Sequence, residues 1–166
     1  MTERSQIALV SKMETLPAGF EAQRDRVAVI AKSYQLLSGK ALVSADEGSI
    51  ADALWHAPMA IVAHGTKADP IFFFGNRTAL SLFEMDFASF TRLPSRQSAE
   101  PLQREERARL LARVSRDGIV DDYQGVRISA GGKRFRIWNA SVWNLTDAGG
   151  RAVGQAAAFS QWEHLA

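Results

Sequence analysis

Cysteine is absent from the 166 residues. That absence removes a disulfide framework, thiolate metal ligation, a cysteine nucleophile and any thiol redox switch. Histidine is scarce: His56, His64 and His164 lie far apart and show no metal-ligand spacing. Long apolar runs are missing as well. In the first twenty residues the only apolar run is Ile7 to Val10, among the charges of Glu3, Arg4, Lys12 and Glu14. That run is too short for a signal-peptide core or a bilayer span, so neither export nor membrane insertion is expected. With no cysteine to protect, a cytoplasmic location follows as the expectation. No charge of one sign dominates, since 20 Lys and Arg face 18 Asp and Glu for a net charge of +2. Nucleic acid is therefore not expected as a partner, and the densest basic stretch, Lys133, Arg134 and Arg136, reads as a solvated strand face. Gly131-Gly132 and Gly149-Gly150 read as hairpin turns rather than phosphate loops.

The chain is long enough to bury a core of its own, and no repeat, low-complexity tract or long linker divides it. Residues 21–38 carry Val27, Ile30, Ala31, Tyr34 and Leu37 on one helical stripe and stop at Gly39. A shorter helix is expected from Ser49 to His56, ended by Pro58. The period then changes. Met59 to Ala63 and Ile71 to Phe74 read as two strands, Asn76 to Phe83 and Phe87 to Leu93 as short helices, and Leu102 to Arg116 as a charged amphipathic helix anchored by Leu110, Leu111 and Val114. Three strands follow over 119–129, 133–145 and 152–162. The economical arrangement is α+β: one five-stranded antiparallel sheet, with helices inserted between strands two and three on one face and the N-terminal helix on the other. Residues 1–56 form a helical extension to a core of 57–166, as one folding unit.

Two strands, a helical insert and a three-stranded meander resemble the order of PAS domains. The run from Ile71 through Gly75-Asn76 to Leu80 resembles their strand-to-helix passage. More specifically, the chain resembles the PAS-related MEKHLA family. The matching stretches include His64-Gly65-Thr66, Asp69-Pro70-Ile71, Leu82-Phe83-Glu84, Leu93-Pro94-Ser95-Arg96, Ser98-Ala99-Glu100, Asp122-Tyr123, Gly125 to Ser129, Val142 to Leu145 and Gly154 to Ala157. The resemblance implies a PAS-like sensory or regulatory module. Plant members carry a homeodomain and leucine zipper, which this sequence does not show, so a role in tuning an attached transcription factor does not carry over.

Candidate site residues follow from pattern and resemblance together. Gln155, in the middle of the last strand, resembles the position from which flavin-binding PAS relatives address their chromophore; the alternative is an amide satisfied across the sheet. Tyr123 and Trp143 are candidate walls of an apolar pocket, or plain core aromatics. Arg96, with Ser98 and Glu100 before a helix start, could meet an anion, or could pair with a neighbour while Ser98 or Glu100 caps the helix. Asn76 is expected as a structural cap. The cofactor is unknown: cysteine-adduct flavin chemistry is excluded, and a non-covalent flavin stays open. Strict alternation puts Phe135, Ile137, Asn139, Ser141, Trp143 and Leu145 on one strand face. A small-molecule-binding sensory module is the first reading, a dimerising or docking domain with a self-filled pocket the second, and an enzyme the least supported, no spacing selecting a catalytic set.

Overall fold

A computed structural model describes residues 16–44 and 49–166, the side chains of 101–104 excepted. The charged segment bearing Glu3, Arg4, Ile7 to Val10, Lys12 and Glu14 lies outside the described residues. The chain enters through a 3-10 turn, Glu21–Gln23, into helix α1, Arg24–Ser38. Helix α2 is Ile50–His56, with the Ser49 hydroxyl accepting from the Asp52 N–H. Strands β1, Ala60–His64, and β2, Phe72–Gly75, form a hairpin. The insert is α3, Arg77–Phe83, α4, Phe87–Phe90, a 3-10 turn at Ser95–Ser98, and α5, Pro101–Asp117. Strands β3, Ile119–Ile128, β4, Arg134–Thr146, β5, Ala152–Phe159, and β6, Gln161–His164, close the chain.

All strand pairs are antiparallel, in the order β2-β1-β5-β4-β3, with β6 added on β4. The expected five strands are thus six, because the last one breaks at Ser160. Asn139 is the cause. Its φ of 51° is left-handed backbone, which interrupts β4 where β5 ends and β6 begins. The Asn139 side-chain amide then donates to Gln161 Oε1 at 2.7 Å, bridging the break.

The same residue reassigns the faces of β4. Before it, Phe135 and Ile137 point to the inner face, beside Phe83, Phe90 and Phe159; after it, Ala140 and Val142 take over that face. Trp143 and Leu145 point to the outer face, among Phe20, Ile30 and Leu54. An extra residue flips every later side chain, so strict alternation fails beyond Asn139. Asn is among the few side chains that tolerate left-handed backbone.

Each face has its own cover. Helix α1 lies over β4 on the outer face, with Val27 and Ile30 fully buried. The Trp143 indole N–H donates to the Ile30 carbonyl at 3.1 Å, and the Tyr34 ring meets Trp143 edge-on at 4.9 Å. Leu37 ends the stripe half-exposed, while Leu36 is 81% exposed. Helix α5 lies over β3 and β4 on the inner face, where Leu110 and Val114 meet Val120 and Val142. No helix among the described residues is long and apolar enough to cross a membrane.

Candidate functional site

Between α5, β1 and the inner face of β3 to β5 lies a cavity of about 60 Å³. Its apolar walls include Val62, Phe72, Leu110, Ile137, Val142 and Phe159. The polar groups that reach it are His64, Ser98, Arg107, Tyr123, Arg127 and Gln155.

Sheet register brings His64, Gln155 and Asn144 into one row, since Gln155 pairs with His64 on β1 and with Asn144 on β4. Gly154 permits that approach: a Cβ there would lie 2.1 Å from the His64 carbonyl oxygen. Its φ of 155° is one that side-chain-bearing residues rarely adopt. The Gln155 amide donates to Asn144 Oδ1 at 2.9 Å, and the Asn144 amide donates to the Val114 carbonyl at 2.9 Å, tying the row to α5.

His64 is only 9% exposed. Its Nδ1 lies 2.8 Å from the Gly65 carbonyl oxygen, which can only accept, so Nδ1 carries the hydrogen. Nε2 is then a bare acceptor, buried and without a partner among the described residues. Burial lowers the imidazole below its ordinary range, and the Arg107 charge adds to this against the raising effect of the Gly65 bond. The ring is neutral at physiological pH.

Two guanidiniums share the cavity. Arg107 donates to Ser95 Oγ at 2.5 Å. Arg127 donates to the Tyr123 hydroxyl at 3.0 Å and to the Val126 carbonyl at 2.9 Å. Burial, then the neighbouring Arg127, pulls Arg107 down to about 10, which leaves it charged at neutral pH. The arrangement is an apolar cavity with cationic donors at one part of its wall and a neutral acceptor at another.

Of the residues singled out from sequence, Gln155 and Tyr123 meet at this cavity. Trp143 stands on the opposite sheet face, fully buried under α1, because the irregularity at Asn139 turned it over. Arg96 lies at the surface, paired with Asp69 at 3.1 Å, and does not reach the cavity. Ser98 donates to the Ser95 carbonyl at 2.7 Å, and Glu100 precedes α5 without a side-chain cap bond. Asn76 is fully buried and sits at the start of α3; its Oδ1 accepts from the Ala79 and Ile61 N–H groups, and its amide donates to the Leu54 and Met59 carbonyls. In the basic stretch, Lys133 pairs with Glu84 and Arg134 with Glu100.

His64, Arg107 and Arg127 did not stand out from sequence. Their signal was a polar residue on an apolar period: Arg107 precedes Leu110 and Val114 on one helical stripe, and His64 extends the Ala60, Val62 alternation by one step.

A flavin does not fit these walls as they stand. A single benzene-sized ring fills a cavity of about 150 Å³, well above the 60 Å³ found here.

Comparison with known proteins agrees with this architecture. A PAS domain from Colwellia psychrerythraea superposes with a TM-score of 0.57 at 16% identity, covering 65% of this chain and 89% of that one. The light-state dimer of the fungal blue-light photoreceptor Vivid gives 0.58 at 12% identity, covering 86% and 95%. These likenesses establish a PAS-like fold. In sequence, the homeobox-leucine zipper protein HOX29 of Oryza sativa subsp. indica is 26% identical over 142 residues, which is 82% of this chain and 16% of that protein. Its counterpart in subsp. japonica matches to the same extent. The chain thus spans about a sixth of the length of these relatives. The MEKHLA domain model matches residues 24–164, from the start of α1 to the end of β6, and the chain belongs to the MEKHLA domain family.

Proposed function

We propose that this domain is a sensory or regulatory module that binds a small molecule in the inner-face cavity and acts in the cytoplasm. The observation that carries the reading is His64, whose ring lines the cavity and whose buried Nε2 acceptor has no partner among the described residues. A native fold rarely leaves such a group unsatisfied, because stranding it costs about 1–3 kcal/mol. A few convergent polar groups in an apolar wall are also the usual form of a small-molecule site. The PAS-like fold supports the same reading by analogy.

A second reading, a docking or dimerising domain with a self-filled pocket, draws support from Gln155, whose amide is bonded to Asn144, and from exposed Leu36 on α1. Thermal melting of the wild type and of Gln155→Leu, each with and without a metabolite library, separates the two. Ligand binding predicts a compound that raises the wild-type Tm and loses effect in Gln155→Leu. No ligand-dependent shift, together with a mutant destabilised by about 1–3 kcal/mol from the stranded Asn144 oxygen, favours the self-filled pocket.

A further inference from the structure

The geometry points to a small organic carboxylate as the ligand of the cavity, held by Arg107, Arg127 and the Tyr123 hydroxyl, with its short chain against the apolar walls. This deepens the small-molecule reading and rests on it.

Two like charges side by side in apolar surroundings require a counter-charge. The ion pairs among the described residues include neither Arg107 nor Arg127. The carboxylate of Asp69 acts weakly on Arg107 and is itself paired with Arg96. Arg107 gives one N–H to Ser95, and Arg127 gives its terminal nitrogens to Val126 and Tyr123. A guanidinium carries five N–H donors, so both retain hydrogens for an anion.

A carboxylate matches the planar fork of a guanidinium and carries one negative charge. Size sets the limit. At about 10–15 Å³ per water-sized position, a cavity of about 60 Å³ takes an acid of only a few heavy atoms. The apolar walls, Val62, Leu110, Val142 and Phe159 among them, suit its hydrocarbon part and disfavour a phosphate, which has none. His64 Nε2 accepts and does not donate, so it suits a hydroxyl on the same ligand rather than a further anionic oxygen.

The test is thermal denaturation of the full chain against acetate, propionate, 2-hydroxypropionate, chloride, inorganic phosphate and the neutral propionamide, at constant ionic strength. The expected result is a saturable rise in Tm with the carboxylates, largest for 2-hydroxypropionate, and none with chloride, phosphate or the amide. Arg107→Gln should weaken carboxylate affinity at least about tenfold, as loss of a charge-assisted bond requires. Arg127→Lys, which keeps the charge and loses the fork, should weaken it too and serves if Arg107→Gln does not fold. Arg96→Gln, outside the cavity, should bind as the wild type does. Equal shifts with chloride or phosphate, or wild-type affinity in both cavity variants, overturn the assignment. Stabilisation by propionamide without any by carboxylates removes the carboxylate and leaves the small-molecule reading standing. Should no compound of a broad library bind either, both fall.

Discussion

At the residue scale the decisive groups are polar side chains held inside an apolar core. His64 is neutral when folded because burial depresses its pKa below the ordinary 6.5. The sign of its pH effect follows. Above about 6.5 both folded and unfolded forms are neutral and the group adds no pH dependence. Below that value the unfolded chain takes up a proton that the native ring refuses, so stability is lost as pH falls toward the depressed folded value, by at most about 1.4 kcal/mol per pH unit. Urea unfolding between about pH 7.5 and 5.5, above the range where carboxylates titrate, should show this loss in the wild type and a flatter profile in His64→Gln. An equal slope in both would show that His64 is not the buried neutral ring described. Asn76 makes a different kind of contribution. It joins the end of α2, the start of β1 and the start of α3 through four backbone groups, three of them in buried bonds. Losing a helix cap alone costs about 1 kcal/mol, and each stranded buried group adds to it, so Asn76→Ala should cost about 3 kcal/mol. Chemical denaturation checks this, and a loss under about 1 kcal/mol would mean the chain relaxes around the gap.

At the scale of elements, α1 and its stripe carry the outer layer. Ile30 is fully buried and its carbonyl accepts from Trp143. Ile30→Asp removes an apolar side chain worth about 1.5–3 kcal/mol and buries a carboxylate in its place, so a loss of at least about 3 kcal/mol is expected. An unchanged midpoint of thermal unfolding would contradict the packing of α1 on the sheet. These elements were readable in sequence because their signals are local: a stripe at helical spacing, the Asn76 cap, the Gly131-Gly132 and Gly149-Gly150 turns. The site was readable only in part. Gln155 and Tyr123 line the cavity even though the β3–β4 register shifts on both sides of Tyr123. Trp143 does not, since one left-handed residue, Asn139, reverses the strand beyond it and no alternation rule marks that event in advance. Arg107 and Arg127 were hidden for another reason. A charged residue on a charged helix or edge strand looks solvated until the sheet is assembled beside it.

At the scale of the whole molecule, the sheet separates two jobs. Its outer face is closed by α1, α2 and the aromatic cluster of Phe20, Trp55, Phe74 and Phe87, with Arg26 of α1 laid over the Phe73 ring. Its inner face admits Arg107, Arg127, Tyr123, His64 and Gln155 around a small cavity. A ligand in this cavity, as proposed, would touch β1, β3, β5 and α5 together. The central claim is that this inner cavity is where a small molecule binds. Titrating the ¹⁵N-labelled chain with short-chain carboxylates and following amide and arginine side-chain resonances tests it most directly. Saturable shifts centred on His64, Tyr123, Arg107, Arg127 and Gln155, with α1 at Leu36 and Leu37 unmoved, are the predicted result. Resonances that stay in place around the cavity at saturating concentration, or that move only along α1, would contradict it.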